Sequence, residues 1–251
     1  MKSESPKIAV ILCGGKGSRM GSLTKKIPKP LLKIHGKPII WYSIKMLALY
    51  NFNKIIFPLG YKGEKIKNYI NQEFPKMKNK FFFVNTGINS SVSKRMHLIK
   101  NLIPDENNFF MLNSDTIFNF NIDKMFQEHN KNSNWLTLSS VDLLVRWGLI
   151  IFDKSNLVDF DRKRTVSNLK IKGNSNKYAK VNSGLAIINQ KALKYSNKND
   201  FCFESSLYKK MIKLKKAKNF NLKGLWYPVD TEKDLQTINI DKKIGIKLNK
   251  I

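Results

Sequence analysis

The amino-terminal segment KIAVILCGGKGSRMGSLTKKIPKPLLKI joins a short apolar run to two glycines and then to a series of cations. The cations that follow the two glycines within fifteen positions are Lys16, Arg19, Lys25, Lys26 and Lys29. Glycine lets the backbone approach a phosphate closely, so that successive N–H groups point at it. Arginine adds two parallel hydrogen bonds to such a phosphate, whereas lysine adds a point charge. The spacing indicates an anion site, and a triphosphate would suit it.

The glycine turn is a weak signal by itself. Its spacing matches neither the G-x-G-x-x-G of dinucleotide-binding folds nor the phosphate loop that ends in Gly-Lys-Ser. A plain tight turn between a strand and the next element is therefore the alternative interpretation of Gly14, Gly15 and Gly17.

Apolar strands and amphipathic helices alternate around this turn. The predicted strands are KIAVILC, KIIFPLG, KFFFVN, NFFMLNSD and WLTLSSV, and the helices between them are PIIWYSIKMLALYNF, GEKIKNYINQEF, SKRMHLIKNLI and IDKMFQEHN. This alternation is typical of βαβ units with helices on both faces of a sheet. We predict an α/β protein with a doubly wound, mostly parallel, Rossmann-like sheet. Ligands of such a sheet bind outside the carboxyl ends of its strands, which is where the glycine turn lies.

The pattern changes after about residue 140 to shorter β-like pieces, GLIIFD, NLVDF and SGLAIIN, followed by a helix near FESSLYKKMIKLKK and a strand and helix in LWYPVDTEKDLQTIN. We predict that this half is an α+β acceptor-binding extension of the same sheet. RTVSNLKIKGNSNKYAK is predicted to be a mobile loop because Gly, Ser and Asn punctuate it. The predicted organisation is a single domain over 1–251, with a nucleotide-binding half at 7–140, an acceptor-binding half at 141–240 and a basic tail at 241–251.

Composition excludes several classes of protein. With 251 residues, of which 42% are hydrophobic and 11% aromatic, the chain can bury a real core and differs from a disordered chain. The two cysteines lack metal-ligand spacing, so we predict neither a zinc site nor a disulfide framework. No run approaches the roughly 18 apolar residues of a membrane span, and no signal-peptide pattern is present. We expect a soluble, cytoplasmic protein without a membrane partner.

The formal net charge of +28 permits nucleic acid, an anionic membrane or small polyanionic substrates as partners. Lys and Arg are spread along the whole chain among many Asn, Ile and Phe residues, which favours a compositional bias over a basic stripe. We predict no specific nucleic-acid partner, and the oligomeric state stays open, a homo-oligomer included. A basic nucleic-acid-binding module is the non-enzyme alternative, and a steep loss of affinity with salt would identify it.

The segments GGKGSRM, PKPLL and GKPIIWYSIKML together resemble the signature of the sugar-nucleotide nucleotidyltransferases. Within that family, the motifs are most similar to those of the glucose-1-phosphate cytidylyltransferase branch. The resemblance continues through GYKGEKIKNYI, NTGINSSVSKRM, NSD and LWYPVDTEKDL, so it covers most of residues 7 to 240. It implies that a phosphorylated acceptor attacks the α-phosphorus of CTP and that pyrophosphate leaves. A phosphomonoester is already ionised near neutral pH, so no general base is required.

The resemblance also implies roles for particular residues. It assigns the triphosphate to the glycine turn, the reacting phosphates to Lys29, a Mg²⁺ cofactor to two aspartates, and the pyrimidine to NTGINSSVSKRM. Either aspartate could instead cap a following helix, and the NTG segment could be a plain polar helix entry. The predicted nucleotide-binding residues are Leu12, Gly14, Gly15, Gly17, Ser18, Arg19, Lys29, Thr86, Gly87 and Ser91; the catalytic residues are Arg19, Lys29, Asp115 and Asp230, of which Asp115 and Asp230 are the metal ligands.

The acceptor segment departs from the family, whose sugar-phosphate members carry Glu-Lys-Pro where VDFDRKRTV stands here. Alignment on Phe160 keeps the phosphate-binding lysine and replaces the sugar-reading glutamate by an arginine, which suits a carboxylate rather than hydroxyls. Among the acceptors of cytidylyltransferases of this fold, phosphoglutamine, in the route to capsular phosphoramidate, has such a carboxylate, and a hexose phosphate is the alternative. The predicted acceptor-binding residues are Arg162, Lys163, Arg164, Asn182 and Trp147.

Overall fold

The structure is a computed structural model that describes residues 7–131, 134–145, 149–161, 165–167, 169–171 and 174–248. Its helices are α1 (Leu23–Lys26), α2 (Ile39–Leu49), α3 (Gly63–Glu73), α4 (Val92–Ile99), α5 (Ile122–Asn130), α6 (Lys209–Lys213), α7 (Glu232–Ile240) and α8 (Lys242–Leu248). Its strands are β1 (Ile8–Leu12), β2 (Lys33–Ile34), β3 (Lys37–Pro38), β4 (Lys54–Leu59), β5 (Phe81–Asn85), β6 (Asn108–Asn113), β7 (Thr116–Asn119), β8 (Leu136–Val141), β9 (Leu143–Leu144), β10 (Leu149–Asp153), β11 (Asn156–Asp161), β12 (Thr165–Val166), β13 (Leu169–Ile171), β14 (Asn174–Ala179), β15 (Val181–Asn189), β16 (Ala217–Asn221) and β17 (Leu225–Pro228).

Seven strands form the central sheet in the order β16-β8-β15-β6-β1-β4-β5. The pairs β1–β4, β1–β6, β4–β5 and β8–β16 are parallel, whereas β15 runs antiparallel to β6 and β8. The prediction of a doubly wound, mostly parallel α/β sheet is confirmed. No helix among the described residues is long and apolar enough to cross a membrane.

The two faces of the sheet bury two separate apolar clusters. Successive residues of a strand point to opposite faces, so Ala9 and Ile11 of β1 pack on the side of α2, α3 and α5, whereas Ile8 and Val10 pack on the side of α4 and α6. Strands buried on both faces read as continuous apolar runs, which is why β1 was recognisable in the sequence.

The polar stretch predicted as a loop forms strands instead. Within the described residues of this stretch, β12 pairs with β9, and β13 pairs with β14. The loop prediction was wrong because these strands are short and are interrupted by Gly, Ser and Asn, so they are identified by their pairing with neighbouring strands rather than by local propensity. Of the residues assigned to a basic tail, Lys242–Leu248 form α8, whose Leu248 is buried against the cluster around α7.

Candidate active site

One lysine and two aspartates meet at the carboxyl edge of the sheet. Asp115 lies just beyond β6, and Asp230 lies just beyond β17. Because β17 pairs antiparallel with β7, Pro228 stands opposite Thr116, and the Val229 N–H donates to the Asp115 carbonyl at 2.9 Å. This pairing joins two loops that are far apart in the chain.

Lys29 points its ammonium group between the two carboxylates. Its Nζ lies 2.7 Å from Oδ2 of Asp115 and 3.4 Å from Oδ1 of Asp230. The Lys29 residue is only 7% exposed. Arg19, whose side chain is 71% exposed, approaches Asp230 from outside, with Nη1 at 3.2 Å from Oδ1. The four residues predicted as catalytic therefore form one charged cluster, in which both carboxylates lie next to the ammonium group of Lys29.

Neither aspartate caps a helix. Asp115 is followed by strand β7 rather than by a helix. The N-cap of α7 is Thr231, whose hydroxyl accepts from the Asp234 N–H at 3.2 Å. The alternative interpretation of Asp115 and Asp230 as helix caps is wrong.

Asp234 holds the backbone that carries Asp230, and the sequence analysis did not single it out. One oxygen of Asp234 accepts from the Asp230 N–H at 3.0 Å and from the Thr231 N–H at 2.9 Å. With the reciprocal bond from the Asp234 N–H, this is a capping box, which satisfies two backbone donors at the start of α7. The three-residue spacing of Thr231 and Asp234 is the sequence pattern of a capping box and could have identified Asp234.

The glycine turn is shaped by close approaches. A Cβ on Gly14 would overlap Nη1 of Arg95 and lie 2.9 Å from the Pro58 carbonyl oxygen. Gly17 has a φ of 65°, a left-handed conformation that favours glycine, and its Cβ would lie 2.9 Å from Cβ of Lys29. Gly15 is exposed, and a Cβ there would meet no heavy atom of the described residues within 4 Å. Gly14 and Gly17 are thus required for packing, whereas Gly15 leaves its backbone open to a ligand.

Arg95, which the sequence analysis missed, joins the ends of three strands. It is 4% exposed and donates to the carbonyl of Leu59 at 3.1 Å, to the carbonyl of Gly14 at 2.9 Å and to the hydroxyl of Thr86. Burial lowers the pKa of Arg95, but the guanidinium stays charged at physiological pH. The sequence feature that could have identified Arg95 as buried is its position on the apolar side of α4, beside Met96.

The predicted base-binding segment lies at the ends of β4 and β5. The Thr86 hydroxyl donates to the Leu59 carbonyl at 2.6 Å and is buried, and the Ser91 hydroxyl accepts from the Lys94 N–H at 3.2 Å as the N-cap of α4. Both hydroxyls thus have partners within the protein. Gly87 is exposed with a φ of 88°, so the backbone of this segment, rather than these two hydroxyls, is accessible from solvent.

The remaining predicted residues are placed as follows. Leu12 ends β1, and its carbonyl accepts from the Ser114 N–H at 3.2 Å. Ser18 begins a 3-10 turn beside Arg19. Asn182 is exposed near the start of β15, where its side chain accepts from the Gly184 N–H at 3.1 Å. Trp147, Arg162, Lys163 and Arg164 lie outside the described residues.

A glycine turn after the first strand of an open α/β sheet, with cations and two carboxylates at the same edge, is an arrangement that suits an enzyme that transfers nucleotides. The chain belongs to the Nucleotidyl transferase family, whose model matches residues 8–243.

The curated relatives that align along nearly the whole chain include two cytidylyltransferases. A probable glucose-1-phosphate cytidylyltransferase of Bacillus subtilis is 29% identical, over 92% of this chain and 94% of its own length. A glucose-1-phosphate cytidylyltransferase of Salmonella typhi is 25% identical, over 90% of this chain and 92% of its own length.

Two solved structures have the same fold. The putative glucose-1-phosphate thymidylyltransferase from Bacillus anthracis is 17% identical with a TM-score of 0.69 and covers 94% of each chain. HddC from Yersinia pseudotuberculosis is 22% identical with a TM-score of 0.66, over 93% of this chain and 98% of its own. Because both identities are low, this similarity concerns the fold alone.

Proposed function

We propose that this nucleotidyltransferase is a Mg²⁺-dependent cytidylyltransferase, which transfers the cytidylyl group of CTP to a phosphorylated small molecule and releases pyrophosphate. The observation that carries the proposal is the convergence of Lys29, Asp115 and Asp230 beside the glycine turn. We propose that the reaction takes place in the cytoplasm, which is the location expected from the sequence.

The donor set of the site fits Mg²⁺. Asp115 and Asp230 both lie within 3.4 Å of one cationic nitrogen, so a cation is the natural occupant of the space between their oxygens. The described residues contain no group of three or more His, Cys, Asp and Glu side chains that could hold a metal by themselves. Two carboxylates suit Mg²⁺, which usually takes one or two from the protein and completes its octahedron with water and phosphate oxygens. When bound, the ion would neutralise charge on the transferred phosphates.

The protein groups then bind and position the two substrates. The open backbone at Gly15 and the exposed guanidinium of Arg19 would hold the triphosphate, and Lys29 would contact the phosphates near the reacting centre. The acceptor's own phosphate oxygen is the nucleophile, and its second pKa near 6 makes it anionic without a base. The chain's contribution to the rate is therefore orientation and electrostatic stabilisation of the charge that develops on the phosphates.

CTP is proposed as the donor because two curated relatives that align along nearly the whole of both chains are named cytidylyltransferases. The acceptor proposed first is phosphoglutamine of the capsular phosphoramidate route, since Arg162 stands where sugar-phosphate members carry a glutamate. A hexose phosphate such as glucose 1-phosphate is the second candidate, and the names of those same relatives favour it.

Pyrophosphate release from each of the four nucleoside triphosphates, paired with phosphoglutamine and with glucose 1-phosphate, tests the proposal. We expect turnover with CTP and Mg²⁺, its loss on chelation, and faster reaction with phosphoglutamine. Equal turnover with UTP or a purine nucleotide would refute the donor, and a preference for glucose 1-phosphate would refute the acceptor. Arg162→Glu should reduce the preference for phosphoglutamine by about tenfold, the equivalent of about 1.4 kcal/mol.

A further inference from the structure

A second charged cluster lies along the same edge of the sheet, outside the four residues of the catalytic cluster. Nζ of Lys180 lies 2.8 Å from Oδ1 of Asp142 and donates to Oδ1 of Asn221 at 2.9 Å. The side chains of Lys180 and Asp142 are 21% and 36% exposed. The hydrogen bonds from Lys180 and from Ser167 hold the pKa of Asp142 below its usual range. The cluster is therefore an ion pair held in place and open to solvent on one side.

The strand register places this cluster beside Asn182, the one residue of the proposed acceptor site that the structure describes. Leu185 of β15 pairs with Leu112 of β6, and the two strands are antiparallel. The residues that precede Leu185 in the chain therefore extend beyond the carboxyl end of β6, on the side where Asp115 lies. Lys180 immediately precedes β15, two residues from Asn182, and side chains two apart share one face of an extended chain. That spacing is about 7 Å along the strand. Lys180 thus stands beyond the edge of the sheet, on the side of Asn182.

The chemistry of the pair suits a zwitterion. An ammonium group has three donors. Among the described residues, Lys180 uses two of them on Asp142 and Asn221, and the third can donate to an oxygen of a ligand. The Asp142 carboxylate accepts from Lys180 and from Ser167 among the described residues, and its side chain is 36% exposed, so a carboxylate, with about four lone-pair sites, can accept a further donor from a ligand. The cluster offers a fixed donor beside a fixed acceptor, and an α-amino acid presents a carboxylate and an ammonium group on one carbon.

We infer that Lys180 and Asp142 are specificity-determining residues, which bind the α-carboxylate and the α-ammonium group, respectively, of a phosphorylated amino-acid acceptor. This inference rests on the proposed function and adds residues that the family motifs do not include. Asn221 is the positioning residue that orients Lys180.

Three acceptors that differ by one charged group test the assignment. Phosphoglutamine has both groups, the N-phosphorylated amide of 4-aminobutyric acid lacks the carboxylate, and that of glutaric acid lacks the ammonium group. Lys180→Met keeps most of the apolar stem and removes the charge, and Asp142→Asn keeps the shape of the side chain. Lys218→Met is the matched control, because Lys218 is exposed on the neighbouring strand β16 away from this cluster.

A charge-assisted hydrogen bond contributes enough to change kcat/KM by about 10- to 100-fold. We expect Lys180→Met to lower kcat/KM for phosphoglutamine by that factor. The change should come from a higher KM for the acceptor, with KM for CTP unchanged. For the analogue without a carboxylate, Lys180→Met and the wild type should have the same kcat/KM. Asp142→Asn should behave in the same way towards the ammonium group. Lys218→Met should leave all three acceptors unchanged. Equal losses on all acceptors, or none, would overturn the inference.

Binding measured by calorimetry separates this inference from the proposed function. If phosphoglutamine binds the full chain and Lys180→Met weakens its binding about tenfold or more, the inference holds even if no CTP is consumed, and only the proposed reaction fails. If phosphoglutamine does not bind, or glucose 1-phosphate is the better acceptor, the zwitterion assignment is wrong while a nucleotidyltransferase activity can stand. The double variant Lys180→Met/Asp142→Asn leaves no unpaired charge, and its thermal unfolding shows whether a loss comes from misfolding.

Discussion

Replacing Gly14 by alanine should damage the turn that begins the active site, whereas the same change at Gly15 should not. The added Cβ at Gly14 would overlap Nη1 of Arg95 and lie 2.9 Å from the Pro58 carbonyl oxygen. Arg95 has little room to move because it also donates to the Leu59 carbonyl and to Thr86. At Gly15 the Cβ would meet no described atom within 4 Å, so this variant is the matched control.

Two costs add at Gly14. Overpacking a close-packed site costs about 1–3 kcal/mol, and displacing Arg95 weakens charge-assisted hydrogen bonds that are each worth about 1.5–3 kcal/mol. We therefore expect Gly14→Ala to lower the free energy of unfolding by about 3–5 kcal/mol, out of a typical total of about 5–15 kcal/mol. In a chain of this size that loss corresponds to a fall of roughly 10 °C in Tm.

Urea unfolding of both alanine variants, followed by circular dichroism, measures the difference. A Gly14→Ala variant that is within about 1 kcal/mol of Gly15→Ala would refute the reasoning. A double-mutant cycle identifies the partner, since Gly14→Ala should cost clearly less in an Arg95→Met background than in the wild type. Equal costs in both backgrounds would mean that Arg95 is not what the new methyl group meets.

Three further predictions follow from the same structure. Asp115→Asn and Asp230→Asn should each reduce turnover by on the order of 10² or more while the fold survives, and full activity at limiting Mg²⁺ would contradict the metal assignment. Asp234→Ala should cost about 1 kcal/mol of stability through the lost cap and raise the Mg²⁺ concentration needed for half-maximal rate; an unchanged Mg²⁺ titration would show a purely structural role. Burial lowers the pKa of His129 to about 4, so the unfolded chain binds more protons between about pH 4 and 6.5, and stability is full above pH 6.5 and lost as the pH falls. In His129→Gln, the loss of unfolding free energy between pH 6.5 and pH 4, measured by urea unfolding, should be smaller by about 3 kcal/mol. An unchanged loss would exclude His129 as its source.

The sequence alone determined the features that depend on residues close together in the chain. Apolar runs of strand length and amphipathic helices predicted the α/β sheet, because β1 and its neighbours are buried on both faces. The glycine turn and Lys29 were found together because the first strand, the glycine turn and the lysine lie within one short segment of the sequence. The family signature added Asp115 and Asp230 by pattern.

Only the tertiary structure decided which distant groups share a site. Asp230 reaches Lys29 because β17 pairs with β7, and Lys180 meets Asp142 and Asn221 because β15, β8 and β16 are neighbours in the sheet. Strand order and register result from packing over the whole chain and leave little trace in local periodicity. The strands β12, β13 and β14 were missed for the same reason. The first two are only two and three residues long and β14 is mostly polar, so their pairing partners identify them rather than a local pattern.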